Sequence, residues 1–160
     1  MAVFERSFVV GASLESVWEF HSDPVALTEI TPPLIHVHAE TTDHPVRKGS
    51  IVRLLLTVAS LRIPWNSIIV ECEPYHYFSD EQIAGEGPFK RWKHTHRFVA
   101  LERGTQITDY VDYEMPYGVA GKIADRLFGR LLIKSMFDAR ARATRSILER
   151  RVNGRVPDEC

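Results

Sequence analysis

Polar and apolar residues alternate along "VFERSFVVG", Val3 to Gly11, and this period of two predicts a first β-strand ending at Gly11. The pattern then changes. In "SLESVWEF" the apolar Val17, Trp18 and Phe20 share a side, behind Ser13 as helix cap and Glu15 in the first turn. Asp23-Pro24 interrupts that side, and the spacing predicts a second short helix with Asp23 as cap and Pro24 as first residue. Thr31-Pro32-Pro33 ends it, because proline lacks the amide that a helix needs.

From Leu34 to Met115 the chain reads as successive strands. "IHVHAE" alternates strictly, and "IVRLLLTVASL" and "IPWNSIIVECE" lie so close together that they predict a hairpin. "YFSDEQI", "FKRWKHTHRFVAL" and "TQITDYVDYEM" follow, the last two joined by a tight turn at Arg103-Gly104. Past Val119 a helical period takes over. Ile123, Leu127, Leu131, Ala143 and Ile147 form a stripe, widened by Ala124, Phe128, Leu132 and Met136. A helix of about 30 residues would be roughly 45 Å long, and so broad a stripe asks for a large sheet to cover it. The expected class is α+β: a first strand, two short helices, about six further strands in an antiparallel meander, then one long C-terminal helix. One domain is expected over residues 1–160, with an ordered body of about 2–151.

Strand alternation also orients the side chains of "GPFKRWKHTHRF". Trp92, His94, His96 and Phe98 share one face, and Lys93, Thr95 and Arg97 the other. Lysine and arginine are expensive to bury unpaired, so the histidines share the inward face with the aromatics. A two-residue loop at Arg103-Gly104 would pair Glu102 with Thr105, Phe98 with Asp109, His96 with Val111, His94 with Tyr113 and Trp92 with Met115. Phe78, Asp80 and Gln82 form the inward set of the preceding strand. The expected result is an apolar concavity holding Asp80, Gln82, His94, His96, Asp109 and Tyr113, whose buried polar groups must find partners. Trp65, Phe78, Phe89, Trp92, Phe98 and Tyr113 are candidate walls, and the Gly85–Pro88 loop is a candidate flap at the mouth.

Composition adds bounds. The chain has 160 residues, 44% hydrophobic and 26% charged, with a net charge of −1. That is an ordinary globular balance with no overall pull toward nucleic acid. No apolar run is long enough to cross a bilayer, and Glu5 and Arg6 interrupt any signal-peptide stretch, so a cytoplasmic location is expected. Cys72 and Cys160 have no metal-ribbon spacing and give no disulfide framework. Charge is uneven along the chain. Nine Lys or Arg stand against three Asp or Glu between Val119 and Arg151, and Lys122, Arg126, Arg130 and Lys134 recur every four residues. A solvated helix face accounts for this row; an interaction module is its alternative. Aromatic residues do not interleave with it as nucleic-acid binding would require.

Three chemistries compete at the concavity. His36, His38, His94 and His96 are enough imidazoles for zinc, but alternation turns His36 and His38 to solvent and no recognisable ligand spacing completes the set, so no metal is expected. Asp80, His94, His96 and Asp109 are the candidate acid/base groups. No phosphate loop or nucleophile elbow occurs, and no cofactor is expected. Binding of an apolar small molecule by Phe78, Asp80, Gln82, Phe89, Trp92, His94, His96, Phe98, Asp109 and Tyr113 suits an aromatic cavity with a few convergent polar groups.

The pattern F-x-D-x-Q followed by G-P-F-x-x-W-x-H-x-H-x-F falls on Phe78, Asp80, Gln82, Gly87, Pro88, Phe89, Trp92, His94, His96 and Phe98. Thr108, Asp109, Val111, Tyr113, Pro116 and Gly118 continue it, and "LTEITPP" precedes the second strand. In these motifs and in element order the chain resembles a bacterial subgroup of the SRPBCC superfamily, which holds START domains, birch-pollen allergens and polyketide cyclase/dehydrases. The resemblance implies the helix-grip fold, a curved antiparallel sheet of about seven strands around the long C-terminal helix with two short helices after strand 1. Between sheet and long helix it implies a cavity that takes an apolar small molecule of lipid, polyketide or aromatic type. It also implies that a minority of members cyclise or dehydrate what they bind, and that some associate with macromolecular partners.

Overall fold

The computed structural model describes residues 2–40 and 43–154, without the side chains of Lys122 and Ala124; Cys160 lies outside the described residues. Strand β1 (Ala2–Val10) leads into α1 (Leu14–His21) and α2 (Ala26–Ile30). Six strands follow: β2 (Ile35–Ala39), β3 (Ile51–Val58), β4 (Leu61–Glu73), β5 (Tyr77–Gln82), β6 (Arg91–Leu101) and β7 (Gly104–Glu114). The seven strands form one antiparallel sheet in the order β1-β7-β6-β5-β4-β3-β2. The chain is then helical from Gly118 to Asn153, as α3 (Gly118–Ala124), a π turn (Asp125–Gly129) and α4 (Arg130–Asn153). This is the helix-grip fold that the resemblance implied.

Local chemistry explains the helix starts. Ser13 caps α1 by accepting from the Ser16 amide at 3.3 Å. Asp23 accepts from the Val25 amide at 2.9 Å, but Pro24 and Val25 form a tight turn of three-residue bonds, so α2 proper begins at Ala26 rather than Pro24.

The β6–β7 turn lies one residue earlier than the dipeptide Arg103-Gly104 suggests. Leu101 pairs with Gly104 across Glu102-Arg103, so Phe98 faces Ile107, His96 faces Asp109, His94 faces Val111 and Trp92 faces Tyr113. Gly104 is already in the strand. Its φ is +112°, and a Cβ there would run into the Val10 carbonyl oxygen of neighbouring β1. The register moves by two residues, an even number, so every side chain keeps its expected face. Gly104→Ala is expected to cost about 2 kcal/mol or more, read as a lower urea midpoint, because left-handed strain and a backbone clash add.

The C-terminal helix departs further from expectation. Its inward residues are Gly121, Asp125, Ile133, Phe137, Ala141, Thr144 and Leu148, while Ile123, Leu127, Phe128, Leu131 and Leu132 face solvent. The apolar stripe read from the sequence therefore holds for the second half, where Met136, Ala143 and Ile147 are half-buried, and fails for the first. Two contacts set this phase. Asp125 accepts from the Tyr113 hydroxyl at 2.7 Å, and Gly121 passes so close to the Pro116 carbonyl that no side chain fits between them. Gly129 likewise leaves room for the Asp125 carboxylate inside the π turn.

Candidate functional site

Between the concave face of the sheet and the helices α1, α2 and α4 lies a cavity with two chemically different halves. Strands β2, β3 and β4 supply an apolar half: Ile35, Val37, Val52, Leu54, Leu56, Trp65 and Ile69. Strands β5, β6 and β7 supply Asp80, His94, His96 and Asp109, beside Phe78 and Trp92. The polar residues meet because cross-strand pairing sets Asp80 against His94 and His96 against Asp109.

Asp109 is the hub. Its Oδ1 lies 3.1 Å from His94 Nε2 and 2.9 Å from His96 Nδ1. The His94 contact is a well-formed hydrogen bond, whereas His96 Nδ1 approaches at an angle that leaves it without a directed one. Burial pushes the Asp109 carboxyl up, but the His94 bond, the close approach of His96 Nδ1 and the charges of both rings outweigh it and hold the group well below the usual carboxylate range. Asp80 behaves differently. Burial raises it to about 6, and the His96 charge, a Ser67 hydrogen bond and Arg140 only partly offset that. Its Oδ2 is 3.8 Å from His94 Nδ1. Burial lowers His96, helped by the adjacent His94 charge; the two rings stand 4.0 Å apart between centroids.

Two further residues enter the site from the helices, and neither stood out in the sequence. His21, on α1, lies within hydrogen-bond distance of the Val17 carbonyl through Nδ1 at 2.9 Å and has its ring 5.7 Å from that of His96. Burial, then the charge of His96, lowers it to about 4. Arg140, on α4, lines the cavity with its guanidinium 5.7 Å from the centre of the Phe137 ring, and its buried Nε has no hydrogen-bond partner among the described residues. Burial lowers the pKa of this cation, while the charges of Asp109 and Asp80 act to raise it. A signal for Arg140 was present: it sits three residues after Phe137 and four before Thr144, on the inward face of α4.

Of the ten residues expected to bind a ligand, six line this cavity: Phe78, Asp80, Trp92, His94, His96 and Asp109. The other four serve its frame. Gln82 closes the β5–β6 loop, donating to the Phe89 carbonyl at 2.6 Å and accepting from the Phe89 amide at 3.2 Å. Phe89 packs on Trp65 and Trp92, Phe98 packs on Trp18 and His21, and the Tyr113 hydroxyl is taken by Asp125. The Gly85–Pro88 loop, the candidate flap, is held by Gln82 and by a 2.8 Å bond from Asn66 to Glu86. His36 and His38 are exposed, as alternation requires. Asp80, His94 and His96 each place a donor atom within 4.8 Å of the others, so Asp80 supplies a third potential metal ligand that residue spacing did not reveal.

The family described as "Polyketide cyclase / dehydrase and lipid transport" matches residues 1–152. The chain belongs to this family. Among solved structures it is similar to the ZhuI aromatase/cyclase from Streptomyces sp. R1128, at 21% identity and a TM-score of 0.76, covering 94% of this chain and 95% of that one. The di-domain ARO/CYC StfQ of the steffimycin biosynthetic pathway matches at 14% identity and TM-score 0.73, over 94% of this chain and 51% of that one. Ara h 8.0201 matches at 12% identity and TM-score 0.65, over 91% and 98%. At such identities the likeness is one of fold. No curated protein matches the chain. Among the described residues, no helix is long and apolar enough to cross a membrane.

Proposed function

We propose that the protein binds an apolar small molecule of aromatic or polyketide type, with its oxygenated end at the Asp80–His94–Arg140 side of the cavity. The observation that carries this reading is the division of the cavity, in which one half is hydrocarbon and the other offers carboxylates, imidazoles and an incompletely bonded guanidinium. Arg140 suits a carboxylate, phenolate or enolate oxygen, since a buried N–H gains most when it meets an acceptor. Membership of the family supports the ligand class.

The test is native mass spectrometry of freshly purified protein, together with fluorescence titration of an anionic naphthalene dye. The dye should bind, Leu54→Trp should abolish binding by filling the apolar half, and Arg140→Leu should weaken it about tenfold or more, as expected for losing one charge-assisted bond. Binding that both substitutions leave unchanged would place the dye elsewhere and end this reading.

A second reading has one specific observation behind it. A carboxyl raised to about 6 beside an imidazole is suited to proton transfer near neutral pH, which an aldol cyclisation or dehydration of a bound poly-β-ketone needs. Asp80→Asn and His94→Ala should then lose turnover of such a substrate while keeping dye binding. Turnover unchanged from wild type in both variants would exclude acid/base chemistry here.

A further inference from the structure

The first half of the C-terminal helix is inverted relative to an ordinary surface helix. Small or polar residues face in, and Leu127, Phe128, Leu131 and Leu132 face out, 62%, 71%, 70% and 71% exposed. Val119 and Ile123 extend the apolar face by two turns. Arg126, Arg130 and Lys134 are exposed among these residues. Scattered exposed leucines need no explanation, but a contiguous apolar face on one helix does.

The charge on this face has one sign. Asp125, the single acid between 117 and 137, is buried against the Tyr113 hydroxyl, with Arg130 Nε 3.8 Å away. Asp138 is shared between Arg6 and Lys134. Glu114, beside Arg126 and Arg130 in the adjoining groove, is bonded to Lys90 at 2.8 Å. The outward face of the segment therefore presents cations and hydrocarbon without an exposed carboxylate of its own.

We propose that the outward face of residues 119–134 docks on the surface of anionic lipid bilayers. Apolar side chains enter the acyl boundary of such a surface, while arginine and lysine stems lie along it with their charges among the headgroups. Each cation near an anionic surface adds to binding. A second copy of the chain fits less well. A two-fold interface sets a face against itself, bringing these cations onto their own copies with no acid between them. The helix lies on the bilayer rather than crossing it, since its charged residues leave no apolar stretch long enough to span. It also reaches the cavity wall at Met136 and Phe137, about one turn beyond Leu132, so the docked bilayer lies beside the cavity. The proposal does not rest on what the cavity binds.

Co-sedimentation of the full chain with sucrose-loaded vesicles tests it. Vesicles of phosphatidylglycerol and phosphatidylcholine should pull the protein down, and vesicles of phosphatidylcholine alone should not. Phe128→Ser with Leu132→Ser should abolish sedimentation. Arg126→Gln with Arg130→Gln should weaken it about 30-fold and flatten its salt dependence. All four positions are exposed, and unchanged thermal melting would show that these variants remain folded. Absence of binding to anionic vesicles, or binding indifferent to both pairs, overturns the proposal. So does a dimer in vesicle-free solution that the Phe128/Leu132 pair dissolves, which would assign the face to a second copy.

Discussion

Asp80→Asn is expected to make the protein more stable at neutral pH, with the gain vanishing as pH falls toward about 4. The sign follows from proton counting. A carboxyl whose folded pKa is raised binds more protons folded than unfolded between its two values, so stability falls as pH rises through that window. For Asp80 the window runs from 3.8 to about 6, which corresponds to about 3 kcal/mol at neutral pH as an upper figure. The amide keeps the shape of the side chain without the buried charge. At roughly 2–4 °C per kcal/mol for a chain of this size, the gain is several degrees in Tm. His21 and His96 act in the opposite sense. Burial lowers both, so the stability linked to their neutral forms is present above about 6.5 and is lost as pH falls. Wild type should thus show a flattened profile between about pH 4 and 6, and the variant a steeper fall into acid. Urea unfolding across that range checks both. Coincident curves for the two proteins would mean that Asp80 is not held at a cost, and would remove the electrostatic ground for giving it a functional role.

Asp109→Ala is expected to destabilise by about 3–5 kcal/mol at neutral pH, the cost of removing one partner from a buried polar cluster. It leaves His94 Nε2 without its acceptor, strips His96 Nδ1 of its neighbour, and removes a charge facing Arg140. The sign is opposite to that of Asp80. A carboxyl held low contributes stability above its unfolded pKa, near 4, and loses it as pH falls toward the folded value. The deficit of the variant should therefore be largest at neutral pH and shrink in strong acid. Asp109→Asn keeps an acceptor oxygen and should cost less. Denaturant midpoints for the two variants decide the matter: a loss under about 1 kcal/mol for the alanine variant would show that the histidines find other partners.

Much of this site is legible in the chain alone, for one physical reason. A strand's side chains alternate strictly, so Trp92 and Phe98 carried His94 and His96 to the inward face with them. Those faces hold although the turn lies one residue earlier, because the register differs from the expected one by two residues and not by one. Phe78 and Asp80 were found in the same way. Gln82 and Tyr113 kept their expected faces yet do not line the cavity, because a loop backbone and Asp125 claim their polar ends. Which partner a polar group takes depends on residues far away in sequence, and alternation carries no such information.

The long helix marks the boundary between the two kinds of knowledge. Composition and period determined that a helix follows the sheet, that the strands form one antiparallel meander, and that aromatic and titratable residues share its concave face. They could not decide the rotation of the helix about its own axis, since an apolar stripe shows that a face exists and not what covers it. That rotation was set by tertiary contacts: Tyr113 capturing Asp125, Gly121 resting on the Pro116 carbonyl, and Phe137 and Arg140 turned into the cavity. Long-range hydrogen bonds and close backbone approach outweighed the burial of Leu127, Phe128, Leu131 and Leu132, and left those four side chains on the surface.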